Sequence, residues 1–158
     1  MIRRPTIPVL LLSCMMLTAQ AYGTASCSIA SAATAFGNYN SLGSTNDPAL
    51  GGVTITCTGS VNDPVNYTIT LSSGQGSFSN RILEAGSAQL GYNLYLDSSH
   101  TTVWGDGTNG TSPLTGNFNL PYSPYSPTFT VYGQINGGQN SATASPGYAD
   151  SLVVTLTY

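Results

Sequence analysis

From residue 22 onward the apolar positions recur at every second residue in short runs, and nowhere do they sustain the three-to-four spacing of a helical stripe. This pattern predicts strands at residues 53–57, 67–71, 90–96, 129–135 and 152–158, with weaker candidates at 27–35 and around Phe78. Alternation assigns the faces. Leu152, Val154, Leu156 and Tyr158 fall on one side of the last strand and Val153, Thr155 and Thr157 on the other, so the first set is expected to face a core. Tyr67, Ile69 and Leu71 repeat the pattern, as do Tyr92, Leu94 and Leu96. Between the runs stand turn formers such as Asn46-Asp47-Pro48, Asn62-Asp63-Pro64, Gly105-Asp106-Gly107 and Asn136-Gly137-Gly138. Short strands punctuated in this way predict an all-β, antiparallel sandwich.

The first 21 residues break the pattern. Arg3 and Arg4 precede an apolar run at 7–17, and Ala19-Gln20-Ala21 offers a small-x-small cleavage site, so 1–21 reads as a secretory signal and 22–158 as the mature domain. A weaker alternative is a lipoprotein box at Leu11-Leu12-Ser13-Cys14. The run of 11 residues is too short to span a bilayer, which takes about 20, and no other membrane segment is evident. The expected mature chain carries one arginine against five aspartates and one glutamate, net −5 with His100 neutral. A domain with one cation and no lysine is a poor partner for nucleic acid. Loss of Cys14 with the signal leaves Cys27 and Cys57, expected to form one disulfide in an oxidising compartment, the alternative being two buried thiols. Such a bridge would stabilise the fold by about 3.6 kcal/mol on the chain-entropy model. One histidine and two cysteines are too few for a structural zinc site, and no cofactor or metal is expected.

Candidate chemistry is sparse. Asp97 and Asp106 flank Trp104, an arrangement that would suit a glycosidase if the two carboxylates faced each other across a sugar stacked on the indole; the plainer reading is a pair of loop caps. His100 lies three residues from Asp97 on the same loop, and local neighbours rarely make a catalytic triad. The chain is therefore not expected to be an enzyme. Arg81, the lone mature cation, is expected to pair with Glu84 or cap a strand end, with anion or partner recognition as the functional alternative. The tandem Pro121-Tyr122-Ser123-Pro124-Tyr125-Ser126-Pro127 reads as a stiff surface connection, or else as a two-tyrosine binding surface.

The order of motifs carries more than any one of them. Cys27 is followed by Phe36-Gly37-Asn38-Tyr39, Val53-Thr54-Ile55-Thr56-Cys57, Tyr67-Thr68-Ile69-Thr70-Leu71, Arg81, Leu90-Gly91-Tyr92-Asn93-Leu94-Tyr95, Trp104-Gly105-Asp106-Gly107, Val131-Tyr132-Gly133 and Pro146-Gly147-Tyr148-Ala149-Asp150, and the chain ends on Tyr158. In this order the sequence resembles the spore coat protein U domain family, the domain of Csu-type pilus subunits of the archaic chaperone-usher route. The resemblance implies an incomplete immunoglobulin-like β-sandwich with an open groove, completed by a donor strand, and it makes the last strand, with Leu152, Val154, Leu156 and Tyr158, the strand that lines this groove. It implies as partners a periplasmic pilus chaperone, an outer-membrane usher and neighbouring pilus subunits, and transit through the periplasm to a cell-surface fimbrium. The expected function is an exported structural subunit of such a pilus, displayed for adhesion or biofilm formation. The alternative is a secreted spore-coat or matrix protein of the same fold, not assembled by donor-strand exchange. A surface poor in charge suits a protein that works packed in a fibre or coat. Only Tyr22-Gly23-Thr24-Ala25-Ser26 separates the expected cleavage site from Cys27, so the chain is expected to accept a strand more readily than donate one.

Overall fold

The computed structural model describes residues 24–140, 142 and 147–158; the expected signal at 1–21 lies outside these. Nine strands form: β1 (Ser26–Ala32), β2 (Asp47–Thr58), β3 (Pro64–Leu71), β4 (Gly76–Ser77), β5 (Asn80–Ala85), β6 (Ala88–Tyr95), β7 (Leu114–Asn119), β8 (Thr128–Ile135) and β9 (Val154–Thr157). They make a six-stranded sheet in the order β1-β2-β8-β6-β5-β4 and a three-stranded sheet in the order β7-β3-β9, every pairing antiparallel. The core lies between the sheets. Val53 and Ile55 of β2, Ile69 and Leu71 of β3, and Leu90 and Leu94 of β6 are buried on the alternate positions that the sequence pattern marks, and Val131 and Ile135 join them from β8.

Two strands escape the pattern. β5 carries Arg81 as its second residue and contains Glu84, charges that read as solvent positions, although Arg81 is completely buried. β7 offers only Leu114 and Phe118 as apolar side chains on its inner face, with Gly116 between them. That glycine is a packing device. Gly116 is registered opposite Tyr67, and a Cβ there would fall 2.3 Å from the Tyr67 hydroxyl oxygen, so only glycine lets the ring lie across the strand. The Tyr67 ring then contacts Phe118 and Phe129 at centroid distances of 5.8 and 5.4 Å.

The last strand is shorter than expected. β9 pairs with β3 from Leu71↔Val154 to Thr68↔Thr157, and Tyr158 lies beyond the final pair, 54% exposed rather than on the core face. With no ladder partner to hold its backbone, the terminal side chain is not fixed against the opposite sheet. The weaker candidate around Phe78 falls on the β4–β5 hairpin, with Phe78 itself in the turn.

Candidate functional site: an interstrand cleft

A cleft of about 1110 Å³ opens between the sheets. Its floor is core: Leu71, Leu90, Leu94, Trp104, Val131 and Ile135 all reach it. One lip is the end of β1 and the segment that follows it, at 31–41; the other runs from Gly147 to Val154, which leads into β9. β1 ends one sheet and β9 ends the other, so each has one edge without a strand partner among the described residues. Such an arrangement places a row of free backbone donors and acceptors beside an apolar trough.

Leu152 and Val154 line the cleft, and Leu156 is half-buried on the same side of β9. Tyr158, grouped with them in the sequence pattern, does not reach it. Phe36 was not marked as a site residue by the sequence. It stands edge-on to Tyr92 with ring centroids 5.7 Å apart, and Gly133 makes its position possible: a Cβ there would meet the Phe36 ring at 2.8 Å. Tyr39 anchors the same lip by donating its hydroxyl to the Asn136 carbonyl at 2.8 Å.

Asp150 ties the other lip down. Its carboxylate accepts the Tyr92 hydroxyl at 2.8 Å and the backbone N–H groups of Gln75 and Ser151 at 3.0 and 2.7 Å. Burial, and then this bond to Asp150, push the Tyr92 phenol well above its ordinary range, so it stays a donor. Ser72 holds the next turn, its hydroxyl accepting the Val153 N–H at 2.9 Å while its own N–H donates to the Val153 carbonyl at 3.0 Å.

Arg81 corrects an expectation. It does not pair with Glu84, whose carboxylate accepts from the Gln89 side-chain amide at 3.0 Å, and being fully buried it offers no surface cation to an anion. The guanidinium instead donates to the Ser72 carbonyl at 3.0 Å, the Trp104 carbonyl at 2.7 Å and the Asn93 side-chain oxygen, with Phe78 stacked at 5.4 Å. Burial lowers its pKa, opposed by the fields of Tyr92, Asp150 and Tyr95. The fork satisfies carbonyls that no strand reaches, and so closes the core beneath the cleft. The only sequence signal for this role is a lone arginine on the inner alternation of a strand.

The residues weighed as catalytic candidates have structural partners. Trp104 is buried and donates its indole N–H to the Ile69 carbonyl at 3.1 Å, so its ring is part of the core at the cleft floor rather than an exposed stacking surface between Asp97 and Asp106. Desolvation acts to raise the Asp97 pKa, but the N–H groups of Thr102 and Thr101 and the Thr101 hydroxyl outweigh it and hold the carboxyl at about 2. The Thr108 hydroxyl and N–H likewise hold Asp106 low. A general acid needs the opposite shift. Both residues cap their own loops, and His100 packs against tyrosines rather than a carboxylate. Cys27 and Cys57 are bonded and directly opposed in the β1–β2 register. Tyr125 exchanges two backbone hydrogen bonds of 2.9 Å with Cys57 and packs on Phe118, which makes the Pro-Tyr-Ser tandem an anchored connection along β2. Among the described residues no group of three His, Cys, Asp or Glu side chains is placed to hold a metal, and no helix is long and apolar enough to cross a membrane.

The fold has known counterparts. The chain is similar to one in the crystal structure of a chaperone–tip adhesion subunit pre-assembly complex from the archaic chaperone-usher Csu pili of Acinetobacter baumannii. The likeness has a TM-score of 0.53 at 21% identity and covers 85% of this chain. It spans 40% of the length of that relative. No curated protein sequence matches. The sequence profile of the Spore Coat Protein U domain matches residues 13–155. The all-β sandwich and this match over most of its length place the chain in the spore coat protein U domain family.

Proposed function

We propose that this protein is an exported structural subunit of a chaperone-usher pilus, and that the cleft receives a β-strand from outside the chain. The observation that carries the reading is the apolar trough beside the edge of β9 that has no strand partner among the described residues, walled by Leu152 and Val154. A strand laid there would gain backbone hydrogen bonds from β9 and bury alternate apolar side chains against the floor. A periplasmic chaperone supplies that strand first, an outer-membrane usher hands the subunit on, and a neighbouring subunit replaces it in a surface fimbrium used for adhesion or biofilm formation. Family membership and the likeness to a chaperone–tip adhesion subunit complex support this order of events.

The test is a photo-crosslinking residue at Thr155, which is exposed on β9. In cells carrying the chaperone and usher, it should capture the chaperone in the periplasm and a pilus subunit at the surface. Absence of both adducts, with normal secretion, would instead support the coat or matrix protein that does not assemble by strand exchange.

A further inference from the structure

The outer face of the six-stranded sheet carries an aromatic row that the cleft does not use. Leu50 on β2 stands opposite Tyr132 on β8, and Tyr132 opposite Tyr95 on β6, so the three form one line across three strands. Val131 and Leu94, their sequence neighbours, are buried, and alternation turns the row outward. Two inter-strand steps make it about 10 Å long. Leu50 is 66% exposed and both tyrosines are half-buried.

A loop is bent to complete this row. His100 holds φ at 55°, a left-handed conformation uncommon for a residue with a side chain, and it stands edge-on to Tyr95 at 5.1 Å and to Tyr132 at 6.4 Å. The Asp97 carboxylate enforces the bend by accepting from Thr101 and Thr102, while the His100 N–H donates to the Asp97 carbonyl. Strain held in this way is a pointer to function. The His100 Nε2 is shielded and has no hydrogen-bond partner in the protein. Nor do the hydroxyls of Tyr95 and Tyr132 have one among the described residues. Half-buried rings whose phenol oxygens make no hydrogen bond within the described residues suit a ligand that is apolar on its face and hydroxylated at its rim.

Charge narrows the ligand class. Neither Leu50 nor the two tyrosines brings a charged group to the row, and the Asp97 carboxylate is engaged by its own loop. A phosphate, a uronic acid or a basic peptide would find no counter-charge here, whereas an uncharged sugar needs none. We infer that Leu50, Tyr132 and Tyr95, braced by His100, form a binding platform for a neutral, β-linked polysaccharide, whose flat ribbon lays its pyranose C–H faces on the row and its hydroxyls toward the two phenols. This site is independent of the pilus assignment.

The experiment is saturation-transfer NMR on the full exported, oxidised chain with cellohexaose and chitohexaose as probes. Either sugar should give saturable transfer. Tyr132→Ala and Tyr95→Ala should each weaken binding about tenfold. Leu50→Asp, at a position exposed enough to leave folding intact, should weaken it comparably. Tyr122→Ala, a tyrosine 60% exposed in the Pro-Tyr-Ser connection, should leave binding unchanged. No transfer from either sugar, equal loss in the Tyr122 variant, or stronger binding of an anionic polyuronate would overturn the proposal. So would a row that, by light scattering, joins two copies of the chain in place of binding sugar.

Discussion

Replacement of Arg81 by methionine tests whether its fork or its bulk holds the core. Methionine keeps much of the aliphatic volume and removes the desolvated charge, so a core that needs only filling would tolerate it or gain from it. The hydrogen bonds argue otherwise. The Ser72 carbonyl, the Trp104 carbonyl and the Asn93 side-chain oxygen all lose their donor, in a place where Arg81 itself has no exposure to water. Each buried acceptor left unpaired costs about 1–3 kcal/mol, and discounting for acceptors that find a second partner still leaves a loss of about 3 kcal/mol. That is a large share of the roughly 5–15 kcal/mol available to a domain. Arg81→Lys keeps a charge and three donors without the planar fork, and should fall between the wild type and Arg81→Met. Urea unfolding of the oxidised chain, followed by the near-UV signal of buried Trp104, should give midpoints in the order wild type, lysine, methionine. A methionine variant as stable as the wild type within about 0.5 kcal/mol would refute the hydrogen-bond accounting and leave Arg81 as a space filler.

Three further outcomes follow from the same geometry. Leu156→Asp places a carboxylate on the half-buried side of β9 and should cost a few kcal/mol and abolish surface display, whereas Thr157→Asp on the exposed side should retain a substantial fraction; immunodetection on intact cells compares them, and equal loss would sink the assigned register. Gly116→Val should lower the thermal midpoint by several degrees, because its Cβ meets the Tyr67 hydroxyl, and pairing it with Tyr67→Ala should recover part of the loss in a double-mutant cycle. Asp97 has its folded pKa depressed from 3.8 to about 2, so its contribution to the 97–102 loop is complete above about pH 4 and disappears as the pH falls through about 2. A carboxyl NMR titration of Asp97 with a midpoint near 4 would contradict the N–H cradle around it.

Much of the sandwich was legible because burial in β2, β3 and β8 follows alternation. Residues 53–57, 67–71 and 129–135 each announce an inward face, and the structure buries Ile55, Ile69 and Val131 as that pattern requires. The missed strands failed for a physical reason: β5 buries its charge and β7 buries a void that Tyr67 fills, and neither registers as hydrophobicity. The paired cysteines could be read by elimination. The cleft could not be built from pattern alone, since its lips at 31–41 and 147–154 are irregular segments placed by long-range contacts such as Phe36 on Tyr92 and Asp150 on Gln75. Tyr158 misled because alternation continues past the last residue that β3 holds in register.

The bond between Cys27 and Cys57 also sets how far this domain can be stretched. Tension applied at the N-terminal end enters β1 and crosses at Cys27 directly to Cys57, so the residues between the two cysteines never bear load, whatever happens to the sheets. A sequence separation of 30 residues at about 3.4 Å each withholds roughly 100 Å of contour length from any extension. Under force the oxidised domain would therefore yield only the chain from Cys57 onward, and a fibre of such domains would lengthen in shorter steps, with its N-terminal strand still tethered when the rest has come apart.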